Sequence, residues 1–186
     1  MLIIGITGTL GAGKGTIVEY LKEKKNFRHY SVREYLIKEI EKQGLPVNRD
    51  SMTSVANRLR SEHHPAYIVE ALYKQAAMTG KNAVIESIRT PGEVDFLRKQ
   101  GNFYLFAVDA DPKIRYERIR KRGSETDHID FDTFTANEQR EMTNLPSKLH
   151  NSTYYHNRSF TCYYTYPLPA RSRFKAPVIC FMGKQS

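Results

Sequence analysis

Residues 8–16 read Gly8-Thr9-Leu10-Gly11-Ala12-Gly13-Lys14-Gly15-Thr16, and these types at this spacing suit the chemistry of phosphate. Four glycines allow backbone conformations that a Cβ would block. Successive N–H groups can then turn inward on an anion, helped by the positive end of a following helix. Lys14 supplies a cation that can reach β- and γ-phosphates, and the Thr16 hydroxyl is a ligand for Mg²⁺. The regular pattern places Ser or Thr directly after the lysine; here Gly15 intervenes.

A loop of this kind works only between a strand and a helix. The apolar run at 2–6 predicts the strand, and the amphipathic stretch at 15–25 the helix. Alternation continues beyond them. Strands are expected at 29–31, 82–86 and 103–108, and helices at 33–43, 91–99, 112–122 and 131–142. Two further helices are expected between, one capped by Asp50 or Ser51 and one with Pro65 in its first turn, running to residue 78 and stopping at Gly80. Such alternation implies an α/β fold: a three-layer α/β/α P-loop NTPase with a mostly parallel central sheet and a short lid. Ligands bind such sheets at the carboxyl ends of the strands. Residues 8–16, 86–89 and 109–111 all fall there.

Composition sets the limits. The chain has 186 residues, 40% hydrophobic and 26% charged, which suits one domain with a sizeable core. No apolar run approaches the roughly 20 residues of a bilayer span. Cys162 and Cys180 form no metal or redox motif, so a reduced, cytoplasmic protein is expected. The net charge of +9 is uneven. Residues 144–186 carry six basic side chains and no acidic ones, leaving 23 basic and 20 acidic before them. The body is thus mildly basic, which suits anionic phosphates better than nucleic acid.

Three segments resemble the P-loop nucleoside and nucleotide kinases, with adenylate kinase-like and dephospho-CoA kinase-like proteins nearest. The resemblance extends to the kinase-like domains found beside deoxycytidylate deaminases, and it covers residues 1–143. The first segment is the loop itself, with its Gly-Lys-Gly-Thr ending. The second, Glu86-Ser87-Ile88-Arg89-Thr90, is similar to a D-G-x-P-R-T segment, one residue shorter. By that likeness Glu86 serves the Mg²⁺ side and Arg89 grips the acceptor's phosphate. The third, Arg115 to Gly123, is similar to the start of the kinase lid, where Arg118 and Arg122 share a helix face and would close over the moving phosphoryl group. The resemblance implies ATP as donor, Mg²⁺ as cofactor and a small phosphate-bearing acceptor, a nucleoside monophosphate.

Two departures stand out. Related kinases carry D-x-x-R on the helix after the second strand; here Glu34 takes the acidic place and Ile37 the arginine's. Arg33, Asn48, Arg49, Arg58 and Arg60 are candidate replacements. Residues 144–186 hold four of eight prolines, five of twelve tyrosines and both cysteines, and do not read as the family's usual ending. They are treated as a separate tail, partly disordered, with strands possible at 160–166 and 178–182. Without a proper fifth strand, one sheet edge is expected to be compromised. The alternative to an enzyme is a nucleotide sensor without turnover. His63 and His64, before Pro65, read as a helix junction and not a metal pair.

Overall fold

The computed structural model describes residues 1–123, 129–144 and 178–182. β1 (Ile3–Gly8) leads through the glycine-rich loop into α1 (Lys14–Lys25). β2 (Arg28–Ser31) is followed by α2 (Val32–Lys42), α3 (Arg49–Glu62) and α4 (Tyr67–Thr79). Then come β3 (Ala83–Glu86), α5 (Pro91–Lys99), β4 (Phe103–Asp109), α6 (Pro112–Arg122) and α7 (Phe131–Asn144). β5 (Val178–Met182) completes a five-stranded sheet of order β2-β3-β1-β4-β5.

The first four strands are parallel. Alternate residues of β1 divide the core, as the pleat requires. Ile3 packs with Val32, Leu36, Ile40, Leu59, Ile68 and Leu97, under α2 to α5. Ile4 and Ile6 pack with Val18, Leu21 and Val108, under α1. The sheet therefore has helices on both faces, and its strands are nearly wholly apolar, as β1 and β3 show. That arrangement puts the carboxyl ends of β1, β3 and β4 side by side, with Ile6 level with both Glu86 and Phe106.

The expected elements are present, with local differences. The cap of α3 is Asn48, whose side chain accepts from Ser51 N at 2.9 Å; Asp50 and Ser51 lie inside the helix. Pro65 sits before α4, which starts at Tyr67 and ends on the left-handed Gly80. α5 has a full capping box between Thr90 and Glu93. The 178–182 strand exists, but it runs antiparallel to β4, pairing Asp109 with Val178 and Leu105 with Met182. The edge of β4 is thus covered over Leu105–Asp109, contrary to the expectation of a compromised edge. The expected strand at 160–166 lies outside the described residues.

Candidate phosphotransfer site

The loop after β1 is fixed from outside by backbone contacts and by two arginines. Gly8 has φ +142°, and a Cβ there would stand 2.0 Å from the carbonyl oxygen of Val108. Gly11 has φ +76° with the Arg115 carbonyl oxygen 2.6 Å from the same virtual atom. No side chain fits at either place. Gly15 differs: it has ordinary helical geometry and nothing within 4 Å of a Cβ, so the chain itself does not demand a glycine there, contrary to the sequence expectation. Thr9 Oγ1 donates to Asp109 Oδ1 at 2.6 Å, tying the loop to the end of β4.

The arginines engage the loop's carbonyls. Arg115 Nη1 reaches Leu10 O at 3.4 Å, and Arg118 Nη1 reaches Gly11 O and Ala12 O, each at 3.2 Å. In a trans peptide the N–H points opposite to the C=O. The amides of Gly11, Ala12 and Gly13 are therefore turned away from the arginines, and that of Ala12 donates within the loop to Thr9 O at 3.3 Å. The Gly11 and Gly13 amides are left as donors of the kind that suits an anion.

Arg115 is nearly fully buried, yet it is satisfied. It donates to Ala110 O at 2.7 Å through Nε and forms a two-pronged pair with Glu138 of α7. The Phe134 ring lies 5.6 Å from its guanidinium carbon. α7 is thus latched to the phosphate loop through one residue. Spacing places Arg115 one turn before Arg118 on α6, but nothing local in the sequence reveals Glu138 as its partner.

Lys14 folds back over the loop, donating to Thr9 O at 2.7 Å and Gly8 O at 3.1 Å. Its pKa is lowered to about 8, first by burial and then by Arg89; Arg122 and Arg115 act in the same direction and Glu86 opposes them. Of the predicted side chains, Glu86, Arg89 and Arg122 therefore share the electrostatic field of Lys14. Arg118 itself bonds the outer side of the loop, and Arg122 is exposed at the end of α6. Thr16 is exposed in the first turn of α1.

Glu86 ends β3, and its Oε2 lies 3.1 Å from His29 Nε2 on the neighbouring strand. The hydrogen bond from His29 holds the Glu86 pKa below the usual carboxylate range against the opposing effect of burial, with Lys14 adding to it. An ionised carboxylate beside Lys14 and an exposed threonine hydroxyl fit a hydrated Mg²⁺ held chiefly by nucleotide phosphates. No group of three His, Cys, Asp or Glu that could hold a metal by itself occurs among the described residues. His63 and His64 belong to the helix junction: His63 stacks on Tyr67 at 3.9 Å, and His64 pairs with Glu70.

After Glu86 the chain turns sharply. Ser87 takes φ +71°, a left-handed conformation that favours glycine. Ser87 N and Ile88 N both donate to Ile6 O, at 3.0 and 3.1 Å. This turn buries Ile88 and carries Arg89 beside the loop. Arg89 is exposed by surface area, although protein lies near enough to desolvate it. Burial and the neighbouring guanidiniums of Arg49 and Arg60 lower its pKa; Glu93 opposes them.

Residues 4–144 match the family described as "AAA domain". The chain belongs to this AAA domain family. Among its relatives, a UPF0200 protein of Methanocaldococcus jannaschii is 34% identical over 145 residues, spanning 76% of this chain and 73% of the relative. A UPF0200 protein of Methanococcus vannielii is 36% identical, spanning 76% and 78%. Among solved structures, a candidate kinase of Chloroflexus aurantiacus superposes with a TM-score of 0.51 at 18% identity, over 75% of this chain and 78% of that one. The fold of this AAA domain protein is that of the P-loop kinases. No helix among the described residues is long and apolar enough to cross a membrane.

Proposed function

We propose that the protein is a Mg²⁺-dependent kinase that moves the γ-phosphoryl group of ATP to a small phosphate-bearing acceptor, a nucleoside monophosphate. The observation that carries this reading is the glycine-rich loop between β1 and α1 with Lys14 folded over it, donating to Thr9 O and Gly8 O, and with Arg89 as the strongest like-charge influence on that lysine. Two cations held in repulsion make physical sense when anions come between them.

In this reading residues Gly8 to Thr16 hold the donor, with loop amides and Lys14 on its β- and γ-phosphates. Bound Mg²⁺, held by Thr16 and ordered by Glu86, would neutralise charge on those phosphates. An oxygen of the acceptor phosphate attacks the γ-phosphorus, the bond to the β–γ bridging oxygen breaks, and ADP leaves. A phosphate oxygen is already deprotonated, so the step needs no general base; the protein supplies position and positive charge. Arg89 holds the acceptor. Arg122 would meet the charge that develops on the moving group, and Arg118 would join it on exchanging its bonds to Gly11 O and Ala12 O. A cytoplasmic setting supplies both nucleotides and Mg²⁺.

The test is ADP release from Mg²⁺-ATP in the presence of a panel of ribo- and deoxynucleoside monophosphates and dephospho-CoA. Stimulation by one acceptor, lost in Lys14→Ala, is the expected result. ATP binding with no stimulated release by any acceptor would assign the protein to the sensor class instead, as the isoleucine at 37 invites.

A further inference from the structure

We propose that Glu138 is a positioning residue: acting through Arg115, it lets α7 set the shape of the phosphate loop and thereby the affinity for a nucleotide. The proposal rests on the reading of that loop as the donor site, and adds to it a control seated on another helix.

Arg115 joins three segments. Its Nε donates to Ala110 O, just past β4, at 2.7 Å. Its Nη1 reaches Leu10 O in the loop at 3.4 Å. Both Nη atoms hold Glu138 of α7, with Nη2 at 2.8 Å from Oε2. The Arg115 backbone takes part too, because Gly11 passes so close to its carbonyl that no side chain fits between them. The guanidinium is buried, so water does little for its charge, and the carboxylate fork of Glu138 is its compensating partner.

The neighbours show what loss of that fork would do. Asp109 Oδ1 lies 3.6 Å from Arg115 Nε, and the same oxygen accepts from the Thr9 hydroxyl at 2.6 Å. A buried guanidinium deprived of Glu138 is drawn toward Asp109, since an unpaired buried charge is costly. It then competes with Thr9 for one oxygen and gives up its reach to Leu10 O. Thr9 O in turn receives Lys14 Nζ at 2.7 Å. A change at Glu138 therefore travels to Thr9, Leu10 and Lys14 through a chain of direct contacts.

The sign of the effect identifies the cause. Glu138→Gln keeps the shape of the side chain and removes one negative charge. Through the field alone, that loss favours an anion and tightens nucleotide binding. Through loss of loop position, it weakens binding. A merely structural role lowers the unfolding temperature and leaves the affinity of the folded protein unchanged.

The test is calorimetric titration of Mg²⁺-AMP-PNP into the full chain at a temperature where circular dichroism shows each variant folded. Hydrogen exchange is followed by mass spectrometry over residues 8–16 and 131–144, with the buried strand at 83–86 as internal reference. Glu138→Gln should bind at least about fivefold more weakly than wild type, the lower end of ordinary coupling between sites. Glu138→Asp keeps the charge but falls one methylene short. It should weaken binding in the same direction, and it carries the test if the glutamine variant does not fold. Asp132→Asn removes an equal charge from an exposed position on α7 and should not weaken binding. Without ligand, exchange over 8–16 should be faster in Glu138→Gln relative to 83–86. By reciprocity, AMP-PNP should slow exchange over 131–144 in wild type and not in Glu138→Gln. Affinity unchanged or tightened in the folded Glu138 variants would overturn the proposal, as would equal exchange over 8–16 in wild type and variant. Faster exchange there, with no AMP-PNP binding by wild type, would instead remove the donor reading and keep the brace.

Discussion

Nucleotide binding should draw a proton from solution at alkaline pH, and the size of that uptake follows from Lys14. In the empty cleft its pKa is lowered from 10.5 to about 8, chiefly by burial and then by Arg89. That shift corresponds to roughly 3 kcal/mol of disfavour for the charged form. Phosphates placed against the ammonium reverse the balance and restore a pKa near or above the ordinary value. At pH 9 the free protein holds about 0.1 proton on this amine, whereas the complex holds nearly one. Binding should therefore take up about 0.9 proton per nucleotide at pH 9, against about 0.1 at pH 7. Affinity should fall about tenfold per pH unit above 8 until the bound-state pKa is reached. Calorimetric titration of Mg²⁺-AMP-PNP in two buffers of different ionisation enthalpy reads the uptake directly. The sign for the fold is the same: a depressed lysine pKa costs stability below 8, and that cost is relieved as pH rises toward 10.5. Equal uptake at pH 7 and 9, or an unchanged profile in Lys14→Met, would refute the argument.

Three further outcomes are expected. Gly8→Ala should lose about 2–4 kcal/mol from a forced φ and overlap with the Val108 carbonyl, whereas Gly15→Ala should gain up to about 1 kcal/mol within α1; urea unfolding of the two proteins separates these, and equal losses would contradict the geometry. Arg115→Met should cost about 3–5 kcal/mol by stranding Glu138, and Arg115→Met/Glu138→Met should recover much of it; a double variant no better than the single would deny the latch. The Glu86 carboxyl has a depressed pKa, so its contribution to stability is present above the ordinary carboxyl value, about 4.5, and is lost as pH falls through the folded-state pKa. His29→Gln should remove most of that acid-dependent part, visible as unfolding midpoints that converge with wild type below about pH 4.5; a gap that persists unchanged would rule out the pair as its source.

Much of this was legible before any coordinates because the relevant signals are local. The phosphate loop, the helix at 91–99 and the glycine stop at 80 each fit within a few residues, and the corresponding elements fall at or near the expected bounds. What stayed hidden depends on contacts distant in sequence. Thr9 meets Asp109 across a hundred residues, Arg115 of α6 meets Glu138 of α7, and Arg60 meets Glu93 from a different helix. Composition and periodicity carry no record of such pairings. The requirement for Gly15 was overread for a related reason: a pattern containing four glycines does not say which of them the backbone needs. The direction of β5 was hidden too, because an apolar run pairs equally well either way and only the neighbouring strand decides it.

One carbonyl has mechanical consequences. Ile6 O accepts from both Ser87 and Ile88, so the strand that feeds the phosphate loop and the turn that carries Arg89 are riveted at a single point. Such a joint transmits displacement without slack. The two halves of the cleft then behave as the fixed jaws of a gauge, with the gap set by the sheet, and any adjustment falls to side-chain length at position 89. If Arg89 holds the acceptor as proposed, Arg89→Lys, one reach shorter, would then change which acceptors fit the gauge and not only how tightly they are held.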